Sequence, residues 1–247
     1  MRLESSHCTE FGGSVFEMHP SGALYWPAQS SLLVGDLHFE KASSYHKTGQ
    51  FLPPYDTHQT LQKLEAVIEC FKPSRIFFLG DTFHDPAAWD RMSGSNKSKL
   101  LNSLEKLEAV WIEGNHDQGI VPDRFKLLSS VEVNGIILRH IMNRDALAPE
   151  ISAHFHPVGV IKFRGVKIRR PCFIKSPHKF IIPSFGVLTG GLDVFNSAFE
   201  ELHYQETQLF FLGEQKIFKP AERYFKNKKF SSYNLISSWS IEVLRKL

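Results

Sequence analysis

Short apolar runs of four or five residues recur along this chain, and polar or glycine-bearing clusters close them. Ser31 to Gly35 (SLLVG), Arg75 to Leu79 (RIFFL) and Ala109 to Ile112 are the clearest, and their length predicts buried strands. Between them the spacing becomes helical. Leu61, Leu64, Val67, Ile68 and Phe71 recur at three- and four-residue steps after a Pro53-Pro54 break. A helix is therefore expected to open at Asp56, which is placed to cap it, and to end before Pro73. A second helix is expected over about Lys99 to Leu107, after a polar loop from Met92 to Lys97. The first 30 residues, through Trp26-Pro27, read as an opening strand or hairpin.

The pattern changes beyond Val131. Val131 to Val133 and Ile136 to Leu138 flank Asn134-Gly135, the strongest two-residue hairpin signal. Further strands are expected around Ile151 and over Val158 to Phe163, Val166 to Ile168, and Phe180 to Ile182. Parallel βαβ units followed by antiparallel strands predict an α/β fold: a four-layer α/β/β/α sandwich, two mixed β-sheets flanked by helices. The 247 residues suit a single domain spanning 1–247, and 42% hydrophobic content supports a full core. Residues from about 203 to 247 read as a C-terminal extension.

Composition narrows the setting. The 21 phenylalanines read as core filling, and the three cysteines, an odd number without CxxC spacing, read as free thiols. That usage, and an N-terminus bearing Glu4 and Glu10 without an apolar segment, point to a cytoplasmic protein. No apolar stretch approaches the ~18 residues of a membrane span. A net charge of +3 permits nucleic-acid binding without implying it.

The chemistry lies at the strand ends. Asp36-x-His38, Gly80-Asp81, Gly114-Asn115-His116-Asp117, His140 and His154-x-His156 follow one another, nearly all directly after an apolar run. Residues two apart in extended chain point to one side, so Asp36 pairs with His38 and His154 with His156. Asp36, His38, Asp81, Asn115, His140, His154 and His156 make seven ligand candidates, too many for one tetrahedral zinc and suited to two ions sharing a carboxylate. Two ions ~3.5–4 Å apart clamp the attacking and leaving oxygens of displacement at phosphorus, with a bridging hydroxide as nucleophile. His116 cannot easily face the same way as Asn115 and is the natural general acid, with Asp117 expected to orient its other ring nitrogen.

In this order the motifs resemble the calcineurin-like metallophosphoesterase superfamily. Asp36 to Ala42, Gly49 to Pro53, Leu79-Gly80-Asp81-x-x-His84, Pro183 to Gly186 and Thr189 to Gly191 resemble, more narrowly, the bacterial ligase-associated DNA damage response endonucleases (PdeM-like). The resemblance covers roughly Gly22 to Asp193. It implies Asp36, His38, Asp81 and His156 on one metal, and Asp81, Asn115, His140 and His154 on the other. It also implies two divalent or trivalent ions, manganese first with iron or zinc as alternatives, a DNA substrate in repair, and a DNA ligase and helicase as partners. Three positions depart from the family. Glu40 replaces the usual Gly, Ile-Met-Asn follows His140 instead of a Pro-containing turn, and Ala153 stands where Gly is common.

Lys41 and His84 are candidate substrate contacts. So are Lys162 and Arg164, in a basic run from Lys162 to Lys179 that follows His156 and could track a nucleic-acid backbone. Two other readings stand beside a DNA phosphodiesterase: a phosphoesterase of small nucleotides or pyrophosphates, and a non-enzymatic binding module on the same fold.

Overall fold

The computed structural model describes residues 6–50, 52–117, 127–163, 166–200, 202 and 206–220. β1 (His7–Phe11) and β2 (Ser14–Met18) form a hairpin over Gly12-Gly13, and β3 (Leu24–Trp26) and β4 (Ser31–Val34) continue it antiparallel. β5 (Arg75–Leu79), β6 (Glu108–Ile112) and β7 (Leu127–Leu128) then add in parallel. The crossover from β4 to β5 contains α1 (Lys41–Ser44) and α2 (Asp56–Phe71), and that from β5 to β6 contains α3 (Ala88–Arg91) and α4 (Gly94–Leu104).

The second sheet is built from β8 (Ser130–Val133), β9 (Ile136–Arg139), β10 (Glu150–Ser152), β11 (Val158–Phe163), β12 (Val166–Lys175), β13 (Lys179–Ile181), β14 (Gln208–Leu212) and β15 (Ile217–Phe218). Its strands lie in the order β15-β14-β12-β13-β10-β9-β8, with β11 pairing β12. β9, β10 and β13 are parallel neighbours and the other pairs antiparallel, so both sheets are mixed. Asn134 and Gly135 turn β8 into β9 at φ 48° and 75°, the left-handed pair such a hairpin requires.

The sheets face each other across an apolar core. Phe16, Trp26, Leu33 and Phe77 of the first meet Leu138, Phe173, Phe180 and Phe210 of the second. The outer face of the first sheet packs Leu61, Leu64 and Val67 of α2 and Leu100 and Leu104 of α4 against Ile76, Phe78 and Trp111. Phe78 stacks on Trp111 with ring centroids 4.1 Å apart. Among the described residues, the outer face of the second sheet is covered by Val194, Phe199 and Leu202 around a short 3-10 turn, with no α-helix there. Nor is any described helix long and apolar enough to cross a membrane.

Two expectations are corrected. The segment Met92 to Lys97 is largely helical, because the Ser93 hydroxyl accepts the Asn96 N–H and starts α4 at Gly94. Asp56 lies inside α2 and does not cap it; Tyr55 is the N-cap, and the Asp56 carboxylate accepts the Ala42 N–H at 2.9 Å. Part of the stretch from about 203 joins the second sheet. Gln208 to Leu212 pairs β12 and buries Leu209, Phe210 and Phe211, whose apolar run needs a core. Residues 221–247 lie outside the described residues. β12 also continues past Ile168 to Lys175. Pro171, which has no N–H to donate, stands where the strand leaves β11 for β14.

One partly buried cation ties α2 to the turn after β13. The Lys63 ammonium donates to the Phe185 carbonyl at 2.7 Å and lies 4.2 Å from that ring's centroid. Burial lowers its pKa from 10.5 to about 8. Between these values the folded lysine is neutral while the unfolded one holds its proton, so stability rises with pH across that window. Denaturant unfolding of wild type beside Lys63→Met should therefore show the difference moving in favour of wild type from pH 8 to 10.5. A pH-independent difference would refute the shift.

Candidate metal centre

Every ligand candidate leaves a parallel strand at its C-terminal end. Asp36 and His38 follow β4, Asp81 follows β5 and Asn115 follows β6; His140 follows β9, and His154 and His156 follow β10. The two sheets thus bring five strand ends to one edge, where loops can converge on a ligand. Close approach requires glycine. A Cβ on Gly80 would overlap the His140 ring, and one on Gly114 would overlap the Asp81 backbone and carboxylate.

The chain is strained where it turns. Asp36, His38, Asp81, His154 and His156 have φ of 55°, 46°, 50°, 66° and 44°, the left-handed region that side chains rarely occupy. Such residues cost about 1–3 kcal/mol each and persist only where the surroundings enforce them. Here they turn five donor side chains inward.

Two adjoining groups result: Asp36, His38 and His156, and Asp81, His140 and His154. In the first, His38 Nε2 lies 3.4 Å from His156 Nε2, which is 3.4 Å from Asp36 Oδ1. In the second, His140 Nε2 is 3.0 Å from His154 Nδ1, 3.1 Å from Asn115 Oδ1 and 3.4 Å from Asp81 Oδ2. Asp81 Oδ2 also lies 3.8 Å from His38 Nε2, so this carboxylate stands between the groups. All seven candidates are brought together.

Second contacts hold these donors. His140 Nδ1 meets the Leu79 carbonyl at 2.8 Å, which fixes the tautomer and leaves Nε2 for a metal. The His154 N–H donates to Asp36 Oδ2 at 3.0 Å, and the His116 N–H to Asp81 Oδ1 at 2.9 Å. Asp36 Oδ1 is buried and, among the described residues, finds no hydrogen-bond donor.

The electrostatics match a cation site. Burial drives His38 down to about 2 against the pull of Asp81, and also lowers His154. His140 is raised, because Asp81 and Asp36 outweigh its burial. For Asp81, burial acts upward but is overcome by the hydrogen bond and charge of His140 and by the His116 N–H, so it stays ionised. Two buried carboxylates thus face His38 and His154 rings that burial holds toward the neutral form. Oxygen and imidazole donors without sulfur suit manganese, iron or zinc, and the orphaned Asp36 oxygen completes the fit.

Beside the first group His38, His84 and His116 form a third cluster. His84 Nδ1 is 3.3 Å from His38 Nδ1, and the His84 and His116 rings stack at 5.2 Å. Burial brings His84 down to about 4, with the Lys41 charge adding to it. Asp117 is not the partner expected for His116. His116 Nδ1 instead meets the His84 carbonyl at 2.7 Å. The buried Asp117 carboxylate accepts three backbone N–H groups, from Thr82, Phe83 and Gly114 at 3.0–3.2 Å. It has been drawn inward to tie the β5 and β6 exits together, and its burial raises its pKa to about 6.

Lys41 is half-buried and close enough to Asp56 and Asp81 to feel both charges. Lys162 is in β11 opposite Lys167, its side chain outside the described residues, as is all of Arg164. Two polar residues near the site escaped the sequence reading. Asp85 directly follows His84, an adjacency that could have drawn notice. Its partner Arg91, six residues on, carried no signal.

Comparison with known proteins agrees with this geometry. Residues 31–152 match the calcineurin-like phosphoesterase family, whose members bind a dinuclear metal site. The fold is similar to that of nuclease MPE from Pseudomonas putida, with a TM-score of 0.69 at 23% identity over 87% of this chain and 100% of that one. YfcE, a phosphoesterase from E. coli, matches more loosely, with a TM-score of 0.37 at 15% identity over 76% and 96% of the two chains. No curated protein sequence matches significantly. Residues 31–152 thus form a calcineurin-like phosphoesterase domain, and the chain is a phosphoester hydrolase.

Proposed function

We propose that this chain is a two-metal phosphodiesterase, an endonuclease acting on DNA in repair, with His116 protonating the leaving oxygen. The observation that carries the chemistry is the pair of adjoining ligand groups with Asp81 between them and His116 beside them. Two cations held there, manganese first, would stabilise charge developing on phosphoryl oxygens and supply a nucleophile at neutral pH.

The chain's own residues supply the rest. With Nδ1 held by the His84 carbonyl, His116 keeps Nε2 for the proton that passes to the leaving oxygen. Lys41 and His84 are the candidates to offer a non-bridging phosphoryl oxygen a positive charge and a ring N–H. Asp117 keeps the β5 and β6 exits in register so that Asp81 and Asn115 face one point.

The nucleic-acid reading draws on the β11–β12 hairpin. Arg169, on its exposed surface, donates to the Gly191 carbonyl, and a Cβ on Gly191 would overlap the backbone of His156. The basic hairpin is thereby tied beside His156, and Lys162 and Arg164 are the residues of its sequence that we expect to meet a phosphate backbone. The likeness in fold to a nuclease is in keeping with this. A DNA ligase and a helicase are the partners that the endonuclease resemblance implies.

Two experiments test the reading. Metal content and hydrolysis of labelled DNA and RNA oligonucleotides and a chromogenic diester should be measured with and without manganese. Asp81→Asn is expected to lose bound metal and all three activities. His116→Ala should keep the metal and lose roughly 10²–10⁴-fold in kcat on oligonucleotides. Asp81→Asn with full metal and normal rates would sink the two-metal site. In the second experiment, KM for DNA should rise steeply between roughly 50 and 200 mM salt, while that for the small ester stays flat. Cleavage of the small ester alone would remove the nucleic-acid assignment.

A further inference from the structure

Arg91, the last residue of α3, joins two segments that leave neighbouring parallel strands. Its guanidinium meets the Asp85 carboxylate fork to fork, Nη1 to Oδ1 and Nη2 to Oδ2, both at 2.7 Å. Nη2 also donates to the Glu40 carbonyl at 3.2 Å, and Nε to Ser43 Oγ at 3.1 Å. Asp85 follows His84 on the chain leaving β5, and Glu40 lies two residues after His38 on the chain leaving β4. Those chains already run side by side: Phe39 N–H donates to Thr82 O at 2.9 Å and His84 N–H to Phe39 O at 3.0 Å. The guanidinium closes this ladder just beyond its last rung.

Both Arg91 and Asp85 are partly buried, at 20% and 25% side-chain exposure, so the pair is less screened than a surface bridge. A planar fork also fixes direction, which an ammonium cannot do. What it fixes is the backbone around His84, whose carbonyl accepts the His116 ring at 2.7 Å. Ser43 is bound in turn, its hydroxyl donating to the Glu40 carboxylate at 2.7 Å, so the β4 side of the clamp is held as well.

We propose that Arg91 is a positioning residue for His116: by clamping Asp85 to Glu40 it fixes the His84 carbonyl that aims the acid's ring. This rests on the reading of His116 as the acid. A ring hydrogen-bonded to a displaced carbonyl tilts with it, and a displacement of about 1 Å is enough to misalign proton transfer. Misalignment harms the reaction only in proportion to the leaving group's need for a proton. A merely structural Arg91 would harm all substrates alike.

The test uses two esters of thymidine 5′-phosphate, one with p-nitrophenol as leaving group and one with the more basic phenol. Arg91→Lys and Arg91→Met should lose about 10–100-fold in kcat on the phenyl ester and under about 3-fold on the p-nitrophenyl ester, with KM and metal content unchanged. Asp85→Asn breaks the same fork while leaving the guanidinium its other acceptors, and should show the same selectivity should the Arg91 variants fold poorly. His116→Ala provides the reference, with a larger selective loss. If His116→Ala loses equally on both esters, the acid assignment falls and the proposal with it. If His116→Ala is selective while the Arg91 and Asp85 variants lose nothing, or lose equally on both esters, only the positioning role is overturned.

Discussion

Two carboxylates, Asp36 and Asp81, are 0% and 2% exposed beside a core of phenylalanine and leucine, and the site is organised around satisfying them. An ionised carboxylate out of water is costly unless it is paired. The protein supplies part of the compensation through N–H groups, from His154 to Asp36 and from His116 to Asp81. Among the described residues the imidazoles add little positive charge. His38 and His154 are driven toward their neutral forms, and only His140 is pushed the other way. The imbalance is of the kind bound cations resolve. A fold that buried these groups without them would hold an uncompensated charge in its core.

Strain at the strand ends has the same origin. A strand that simply continued would carry its side chains to alternate faces, and neighbouring exits would not converge. Left-handed turns at Asp36, Asp81 and His154 break that alternation as the chain leaves the sheets. Regular strands on both sides, packed through Phe77, Phe173 and Phe180, hold the turns in place. The sandwich acts as a rigid frame for a few residues that would relax on their own. The geometry of the site is thus stored in the backbone as much as in the side chains.

Much of this was legible in the sequence because apolar runs and metal-capable residues alternate so sharply. Arg75 to Leu79 is a strand with the bounds its hydrophobicity suggested, and Asn134-Gly135 makes the turn its chemistry demands. The candidate donors stand out because nearly all of them follow such a run. The start of α4 was hidden because Gly94 and Ser95 look like loop, while the deciding contact is one hydroxyl on one N–H. The role of Asp117 was hidden for another reason. Its sequence neighbour His116 suggested a pair, whereas two of its three real partners, Thr82 and Phe83, lie more than 30 residues away. Arg91 was invisible on the same grounds. Periodicity reports which face is buried; it does not report which distant backbone a polar side chain will reach.

The three departures from the family pattern show how narrow the tolerance of the frame is. Ala153 adds a methyl beside His154, and Gly35 faces it; a Cβ there would lie 2.5 Å from that of Ala153. The extra carbon is thus accommodated only because the opposing strand end has none. Glu40 occupies a left-handed position, φ 65°, that favours glycine, and its side chain gains the Ser43 hydroxyl in return. Met142, two residues after His140, is buried against the second sheet, and the Asn143 N–H finds the Glu150 carboxylate at 3.0 Å. Each change is absorbed by a neighbour rather than passed to a ligand. Substitution is therefore tolerated around this site where a local partner takes up the volume or the polar group. It is not tolerated at Gly80 and Gly114, where the neighbour that would have to yield is His140 or Asp81 itself.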